Sequence, residues 1–315
     1  MYYNKYTSYE DLANIIRNNI WKIPEDIDII VGCPRSGLIC ALMISEIINK
    51  PVIDLDGFIN GQKPWLGGER THLAEKELKY KNVLVLEDTA FTSKSIIKAK
   101  QRILEMPNAN EFNVISCAIF AEGSDAKEKV DIYFIENYHP QCWNIYEWNI
   151  LQHDIYFTQN CMFDIDGVIC KDPPDERNKE AYEEYIANAI PQFISSSTIQ
   201  ALVTFRLNKY RDITEKWLKD HGVKYNMLFM FNSDSYEYRG RFNPAEYKAM
   251  IYKQADWATM FIESDQWQAP QIAQMSGKPV FCYANGKVYG PMYNYRNEPL
   301  FTTNSTINNL NFVKL

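Results

Sequence analysis

The sequence predicts an α/β protein of two domains, each a mostly parallel sheet flanked by helices. In the first half, short apolar or β-branched runs alternate with helical stretches, and this alternation is typical of a parallel sheet. The same pattern starts again near residue 154. A length of 315 residues also favours two domains over one. We therefore predict a first domain at residues 1–153 and a second at residues 154–315.

The individual elements follow from local patterns. Ser8 with Asp11 three positions later is typical of a capping box, which predicts a helix running to about Ile20. The predicted strands are Ile27–Val31, Pro51–Leu55, Val83–Leu86, Val114–Phe120, Ile132–Ile135, Cys161–Ile165, Ala201–Val203, Met227–Phe231, Met260–Ile262 and Val280–Tyr283. Further helices are predicted at about 37–49 and 95–105, and the aperiodic segment Phe58–Thr71 is predicted to be a loop.

The composition excludes several classes of protein. Hydrophobic residues make up 46% of the chain and charged residues 23%, as in an ordinary globular enzyme. The net charge of -7 argues against a nucleic-acid-binding protein, which usually carries a basic domain. Seven cysteines without regular spacing indicate free thiols, and no signal peptide or apolar run of membrane-spanning length is visible. We therefore expect a cytoplasmic protein without a transmembrane segment.

An acidic pair followed by a hydroxyl-rich loop forms the first candidate site. The strand Val83–Leu86 leads into Glu87 and Asp88, and the segment Thr89–Ser95 then opens a helix. Carboxylates accept hydrogen bonds from vicinal hydroxyls, and the N–H groups at the start of a helix bind anions. A phosphorylated sugar offers hydroxyls to the carboxylates and a phosphate to the start of the helix. The alternative is a strand that ends in solvated acids before an ordinary capped helix.

This segment resembles the phosphoribosyl pyrophosphate motif of type I phosphoribosyltransferases. The resemblance implies that Glu87 and Asp88 hold the ribose hydroxyls. The loop that would hold the 5-phosphate contains Thr89, Ala90, Thr92, Ser93, Lys94 and Ser95. Ser93 departs from the family, which usually has glycine at this position.

Two further segments are similar to parts of the same family. The segment Val31–Gly37 resembles the pyrophosphate loop, which implies that Arg35, Ser36 and Gly37 meet the leaving group, with the Arg35 guanidinium holding two phosphate oxygens. Both loops follow parallel strands, at the edge where α/β sheets bind ligands. The aromatic segment His139–Asn149 resembles the family's hood, which contacts the acceptor.

The acceptor is predicted from two positions. Phe91 stands where purine-specific relatives have an aspartate, which disfavours a purine acceptor. An alcohol acceptor needs a general base near its hydroxyl, and Asp56 is the first candidate with Asp54 second. Both could equally be solvated acids at a strand end. Lys63, Arg70 and His72 could close over pyrophosphate, or could belong to a loop that only connects elements.

The second candidate site begins with two carboxylates two residues apart. An apolar strand ends in Asp164 and Asp166, and Gly167 then allows the chain to turn sharply. This resembles the first motif of the haloacid dehalogenase superfamily. The resemblance implies that Asp164 is the nucleophile, that Asp166 is the general acid and base, and that Mg²⁺ binds Asp164, the carbonyl of Asp166 and a later acid. A calcium-binding loop is the alternative, which the preceding apolar strand disfavours.

The remaining motifs of that superfamily follow in order. Thr204 ends a strand as a phosphate hydrogen-bond donor, and Arg206 is expected to contact the substrate's phosphate or sugar. Lys248 would neutralise the phosphate, with Lys253 as the alternative. Glu263 is the expected later metal ligand, supported by Asp265. The short gaps between these motifs leave no room for a large lid domain.

The two halves together resemble bacterial two-domain ribofuranosyl transferases of polysaccharide assembly. The resemblance implies transfer of ribose 5-phosphate from phosphoribosyl pyrophosphate to a hydroxyl of a glycan or lipid-linked glycan. The second domain would then remove the 5-phosphate with Mg²⁺ and leave a β-ribofuranosyl residue. One alternative is a nucleobase phosphoribosyltransferase fused to a 5′-nucleotidase. Another is a non-catalytic sensor of phosphoribosyl pyrophosphate.

Overall fold

The structure, a computed structural model, describes residues 3–65, 80–140, 142–151, 155–173, 179–294 and 296. Internal contacts divide the chain into two compact units. We call Ser8–Cys142 the first unit, and Met1–Thr7 together with Trp143–Leu315 the second unit. The contacts thus divide the chain at Trp143, whereas the sequence pattern starts the second functional domain at residue 154.

The strands, in chain order, are β1 Tyr3–Thr7, β2 Ile29–Gly32, β3 Val52–Asp54, β4 Asn82–Ala90, β5 Asn113–Ala121, β6 Ile132–Glu136, β7 Cys142–Tyr146, β8 Cys161–Phe163, β9 Ile199–Leu207, β10 Tyr225–Phe231, β11 Met260–Glu263, β12 Val280–Cys282, β13 Lys287–Tyr289 and β14 Met292–Asn294. The α-helices are α1 Tyr9–Asn19, α2 Ser36–Ile48, α3 Leu55–Ile59, α4 Lys94–Leu104, α5 Ala126–Lys129, α6 Glu147–Ile150, α7 Ile155–Thr158, α8 Lys179–Asn188, α9 Arg211–Asp220, α10 Tyr236–Arg239, α11 Pro244–Gln254 and α12 Gln268–Ser276. Among the described helices, none has the length and apolar character needed to cross a membrane.

The first unit is built on a parallel sheet with the strand order β3-β2-β4-β5-β6. Its core consists of β-branched and other apolar side chains, among them Ile29, Val31, Val83 and Val85, all fully buried. The chain runs from β2 outward to β3, and β4 then lies on the other side of β2. This reversal opens a crevice at the carboxyl ends of β2 and β4, which is where α/β sheets bind ligands. The predicted parallel α/β fold of this part is confirmed.

Local capping explains two helices of the first unit. Ser8 Oγ accepts the Asp11 N–H at 3.1 Å, and Asp11 Oδ2 accepts the Ser8 N–H at 3.0 Å, so the predicted capping box of α1 is present. The helix α3 was not predicted. Asp54 Oδ1 accepts the Gly57 N–H at 2.9 Å, and this cap ends the predicted strand early and starts a helix in its place.

The second unit contains a mixed sheet with the strand order β10-β9-β8-β11-β12-β13. The strands from β10 to β12 are parallel, and β13 is antiparallel to β12. The chain moves from β8 through β9 to β10 on one side and from β11 to β12 on the other. A second reversal point therefore lies between β8 and β11, directly after the strand that precedes Asp164.

A small sheet of strands β14-β1-β7, which the sequence did not predict, completes the second unit as described. Its strand β1 pairs in parallel with β14. Tyr6 of β1 is 3% exposed and lies in the same core cluster as Ile150 and Phe163. Its O–H donates to the carbonyl of Gly286 at 3.0 Å. The first strand of the chain is therefore part of the core of the second unit.

Candidate active sites

The acidic pair of the first candidate site is buried near the end of β4. Glu87 and Asp88 are only 8% and 5% exposed. Ser95 Oγ donates to Glu87 Oε2 at 2.7 Å, and the Thr89 N–H donates to Asp88 Oδ1 at 2.9 Å. Glu87 is thus held by the first turn of α4 and Asp88 by the backbone of β4 itself, both as hydrogen-bond acceptors at the crevice of the first unit.

The surroundings of Glu87 raise the pKa of its carboxyl group into the physiological pH range. Burial raises the pKa of the Glu87 carboxyl to about 7, the hydrogen bond from Ser95 opposes this rise, and the neighbouring Asp88 charge adds to it. A carboxyl group near its pKa at neutral pH can accept a hydrogen bond from a ribose hydroxyl as the anion or donate one as the acid.

Gly37 brings the start of α2 against the end of β4. A Cβ atom at Gly37 would lie 2.6 Å from the Leu86 carbonyl oxygen and 3.1 Å from Glu87 Oε1, so only glycine fits there. The loop before α2, with the exposed side chain of Arg35, is therefore adjacent to the acidic pair. The structure brings together the two segments that the sequence predicts to bind pyrophosphate and ribose.

The phosphate loop has an unusual serine. Ser93 precedes α4 with φ at 58°, in the left-handed region that favours glycine. The residue is 3% exposed, and its hydroxyl has no hydrogen-bond partner within the described part of the chain. Its neighbours Thr92 and Lys94 are exposed, and the side chain of Phe91 is 66% exposed. The backbone thus keeps a conformation suited to glycine although serine is present.

The structure gives the predicted acceptor residues local partners. Asp54 caps α3, and Asp56 Oδ1 forms an exposed ion pair with Arg102 Nη2 at 2.8 Å. Trp148 is 8% exposed and stacks on Tyr146 at 4.8 Å within the second unit. Little of the Trp148 ring, in the segment that resembles the hood, is therefore open to an acceptor. Lys63 is exposed, and the other two predicted loop residues, Arg70 and His72, lie outside the described residues.

A buried lysine joins two carboxylates in the second candidate site. Lys248 Nζ donates to Asp164 Oδ2 and to Glu263 Oε2, each at 2.7 Å, and all three side chains are buried. Burial raises the pKa of Asp164, and Lys248 opposes this rise. Burial lowers the pKa of Lys248, but the two carboxylates outweigh it and the net shift is upward. Lys253, the alternative on the same helix, is exposed.

Asp166 is held by an arginine. Arg206 Nε lies 3.0 Å from Asp166 Oδ2, Arg206 Nη2 lies 2.5 Å from Asp166 Oδ1, and the Tyr185 O–H donates to Oδ1 at 2.8 Å. Burial raises the pKa of Asp166, but Arg206 outweighs it and holds the pKa below its usual value. Arg206 is 1% exposed, and its guanidinium is bound to Asp166. The sequence predicts that this guanidinium contacts the substrate.

The two acids predicted to bind metal have different surroundings. Asp265 Oδ1 accepts the N–H groups of Trp267 and Gln268 at 2.7 and 3.2 Å, so this carboxylate caps the start of α12. Glu263 instead faces Asp164 across the Lys248 ammonium. Glu263 and Asp164 therefore share the Lys248 ammonium, whereas Asp265 does not contact it.

The donor atoms of the cluster suit a divalent cation. The carboxyl groups of Asp164 and Glu263 meet at the Lys248 ammonium, and the carboxyl group of Asp166 meets the Arg206 guanidinium. The donors are oxygens, as Mg²⁺ prefers. Within the described residues, no three His, Cys, Asp or Glu side chains form a metal site.

A cavity of ≈ 380 Å³ contains these groups. Its lining residues are Asp164, Asp166, Asp172, Pro173, Thr204, Phe205, Arg206, Arg239, Pro244, Lys248, Glu263, Ser264, Asp265 and Gln268. Gly167 has φ at 76°, and a Cβ there would lie 2.1 Å from Ser264 Oγ, so glycine is required for this close approach. Sequence reasoning missed Tyr185, Arg239 and Gln268, because none of them belongs to a motif with a recognisable pattern.

Comparisons with known proteins support part of this description. The family described as "Phosphoribosyl transferase domain" matches residues 3–148. No curated protein matches the chain. Solved structures with some similarity include a xanthine-guanine-hypoxanthine phosphoribosyltransferase of Helicobacter pylori (15% identity, 47% of this chain and 94% of that chain, TM-score 0.33). A purine phosphoribosyltransferase of Pyrococcus horikoshii (21% identity, 46% and 93%, TM-score 0.31) is also similar.

A third structure, of a Pnkp1/Rnl/Hen1 complex, is 12% identical over 92% of this chain and 98% of that chain, with a TM-score of 0.28. The family match covers both loops of the first candidate site, the segment 31–37 and the segment 87–95. The chain therefore contains a phosphoribosyl transferase domain, at residues 3–148.

Proposed function

We propose that this chain is a cytoplasmic two-step enzyme of bacterial polysaccharide assembly. The first site transfers ribose 5-phosphate from phosphoribosyl pyrophosphate to a glycan or lipid-linked glycan hydroxyl, and the second removes the 5-phosphate. The observation that carries the proposal is the presence of two separate carboxylate sites, Glu87 with Asp88 in one unit and Asp164 with Lys248 in the other. The phosphorylated product of the first reaction is the substrate of the second.

In the transfer step, Glu87 and Asp88 bind the ribose hydroxyls and the start of α4 binds the 5-phosphate. Arg35 binds the pyrophosphate, which leaves with the electron pair of its bond to C1. The acceptor oxygen forms the new bond to C1 and loses its proton to a base, for which Asp56 is the candidate. The exposed ion pair of Asp56 with Arg102 does not prevent this, because such pairs contribute at most about 1 kcal/mol.

In the hydrolytic step, Asp164 attacks phosphorus while Lys248 neutralises negative charge on the phosphate. The resemblance gives Asp166 two proton transfers, one to the departing sugar oxygen and one from the water that hydrolyses the aspartyl phosphate. The first requires that Asp166 bind a proton before the reaction, whereas Arg206 favours the ionised form. The lowered pKa of Asp166 favours the second of these roles. Asp164, the carbonyl of Asp166 and Glu263 would hold Mg²⁺, which supplies further charge neutralisation at the phosphate.

The variant Asp164→Asn tests the two-site proposal. With phosphoribosyl pyrophosphate and an oligosaccharide acceptor, it should release pyrophosphate but no phosphate, and its product should retain the 5-phosphate by mass spectrometry. Lys253→Met, on the exposed face of α11, is the control and should behave as wild type. Loss of both reactions in folded Asp164→Asn protein would contradict separate sites.

The acceptor needs its own experiment. Phe91 offers an exposed ring and no carboxylate, which supports a non-purine acceptor. We expect no turnover of hypoxanthine, guanine, adenine or orotate, and we expect Asp56→Asn to slow glycan transfer by about 10²–10⁴-fold. Efficient ribosylation of a free base would support the fused transferase and nucleotidase instead. Near-normal transfer by Asp56→Asn would contradict only the assignment of the base.

A further inference from the structure

We propose that Arg239 binds the phosphate group of the substrate in the cavity of the second unit. This inference rests on the proposed phosphatase function and names a residue that sets the affinity of that site. Arg239 is the last residue of α10 and lines the cavity together with Thr204 and Lys248. Its side chain is half-buried, so part of it is accessible to a ligand, whereas the side chain of Lys248 is buried.

The other two cations among the described lining residues are held inside the carboxylate cluster. Lys248 Nζ donates to Asp164 and to Glu263, which leaves one of its three N–H groups for a phosphate. Arg206 is bound to Asp166 through both Nε and Nη2. Turning Arg206 toward a ligand would leave a carboxylate without its cation, which is unfavourable. A guanidinium contact to the phosphate is therefore expected from Arg239 and not from Arg206.

An aromatic ring positions Arg239 at the cavity wall. The guanidinium carbon lies 4.9 Å from the centroid of the Phe205 ring, which is within the range of a cation–π contact. Phe205 is itself buried and packs edge-on against Phe231, with 4.7 Å between the ring centroids. Phe205 directly follows Thr204, the predicted phosphate hydrogen-bond donor, and both residues line the cavity. The guanidinium is therefore held close to the part of the wall where the proposed function places the phosphate.

The chemistry of the cavity indicates why a phosphate needs this cation. Five carboxyl groups are found among the described lining residues, those of Asp164, Asp166, Asp172, Glu263 and Asp265. Each of them that is ionised repels a phosphate dianion. A guanidinium can donate two parallel hydrogen bonds to two phosphate oxygens, whereas an ammonium such as that of Lys248 acts as a point charge. Arg239 therefore offers a contact with phosphate that a neutral sugar hydroxyl cannot match.

The test compares Arg239→Met with Arg241→Met. Methionine keeps an unbranched side chain that can pack on the Phe205 ring and removes the charge. Arg241 lies outside the cavity lining and forms an exposed ion pair with Glu237, so it is the matched control. Calorimetry with inorganic phosphate in a buffer that contains Mg²⁺ measures the site without a sugar. We expect Arg239→Met to weaken phosphate binding by about 10–100-fold, since hydrogen bonds between charged groups are lost. Arg239→Lys should weaken it less, and Arg241→Met should leave it unchanged.

Two substrates distinguish a contact with the phosphate from a contact with the sugar. Ribose 5-phosphate carries hydroxyls and phenyl phosphate carries none, but both carry the same phosphate group. We expect Arg239→Met to lower kcat/KM for both by a similar factor. A loss for ribose 5-phosphate alone would assign Arg239 to the sugar and overturn the inference. Equal losses of phosphate affinity in Arg239→Lys and Arg239→Met would also overturn it, because the charge would then have no role.

The same experiments separate this inference from the proposed function. If the wild-type protein hydrolyses neither substrate, the proposed phosphatase is wrong. Calorimetry with inorganic phosphate then decides the inference, which requires binding by the wild type and a loss of about 10–100-fold in Arg239→Met. Absence of phosphate binding by the wild type, or unchanged binding by folded Arg239→Met protein, would overturn it.

Discussion

Ser93 combines a left-handed backbone with a buried hydroxyl that has no described partner. A non-glycine residue in this conformation is disfavoured by about 1–3 kcal/mol, and the greater freedom of glycine in the unfolded chain offsets about 0.5–1 kcal/mol of that. We therefore expect Ser93→Gly to raise the free energy of unfolding by about 1 kcal/mol in chemical denaturation. Ser93→Ala keeps the strained backbone and should gain less. If Ser93→Gly is less stable than the wild type, the inferred backbone strain at this position is wrong.

Glu87 should make stability depend on pH. Burial raises its pKa from 4.5 to about 7 in the folded protein. Below about pH 4.5, both folded and unfolded chains keep the proton. Between 4.5 and 7 the unfolded chain loses the proton first, so the free energy of unfolding falls as pH rises. Glu87→Gln should therefore become more stable than wild type as pH rises to 8, by up to about 3 kcal/mol.

Melting curves of the wild type and Glu87→Gln between pH 5 and 8 would measure this difference. The exposed Glu128→Gln serves as the matched control and should show no such trend. A difference between Glu87→Gln and wild type that does not change with pH would contradict the buried, protonated carboxyl.

Some contacts of single residues could be predicted from the sequence and others could not. Motifs place Asp164, Lys248 and Glu263 at strand ends and helix faces, and the structure brings these three together. The partner of Arg206 could not be predicted in the same way. Its guanidinium can bind a substrate phosphate or a carboxylate equally well, and only the fold shows Asp166 within 3.0 Å of it.

The helix α11 presents two lysines to different environments. Lys248 is buried between Asp164 and Glu263, whereas Lys253 is exposed. Lys248→Met would leave two buried carboxylates without their cation, and we expect it to lower the free energy of unfolding by about 3–5 kcal/mol. Lys253→Met should change it little. Urea denaturation measures both, and equal effects of the two variants would contradict a central role for Lys248.

Strands and helices with local signals were the predictable elements. The capping pattern at Ser8 and the apolar runs before Glu87 and Asp164 predict α1, β4 and β8. The strands β1, β7 and β14 could not be predicted, because each is short and pairs with strands far away along the chain. Periodicity within a segment carries no information about such partners.

For the whole molecule, the position of β1 makes a prediction about stability. Tyr6 is buried in the core of the second unit, although Ser8 already belongs to the first. We expect Tyr6→Ala to cost about 3–5 kcal/mol and to speed hydrogen exchange in β7 and β14 more than in β4. The nearby Tyr9→Ala, at a side chain that is 45% exposed, is the control. Equal exchange changes in β4 and β14 would contradict the assignment of β1 to the second unit.

The pairing of β1 with β14 also sets an order of events during translation. A ribosome that adds roughly 5–20 residues per second needs roughly 15–60 s to reach β14 after it has made β1. The strands β2 to β6 emerge in that interval and can close their own sheet. The partner β7 of β1 is made about halfway through this interval, but the other edge of β1 stays unpaired until β14 emerges, and other chains can bind such an open backbone edge. The nascent protein therefore exposes one edge of β1 until β14 leaves the ribosome, and chaperones that bind unpaired strands during synthesis would protect this edge.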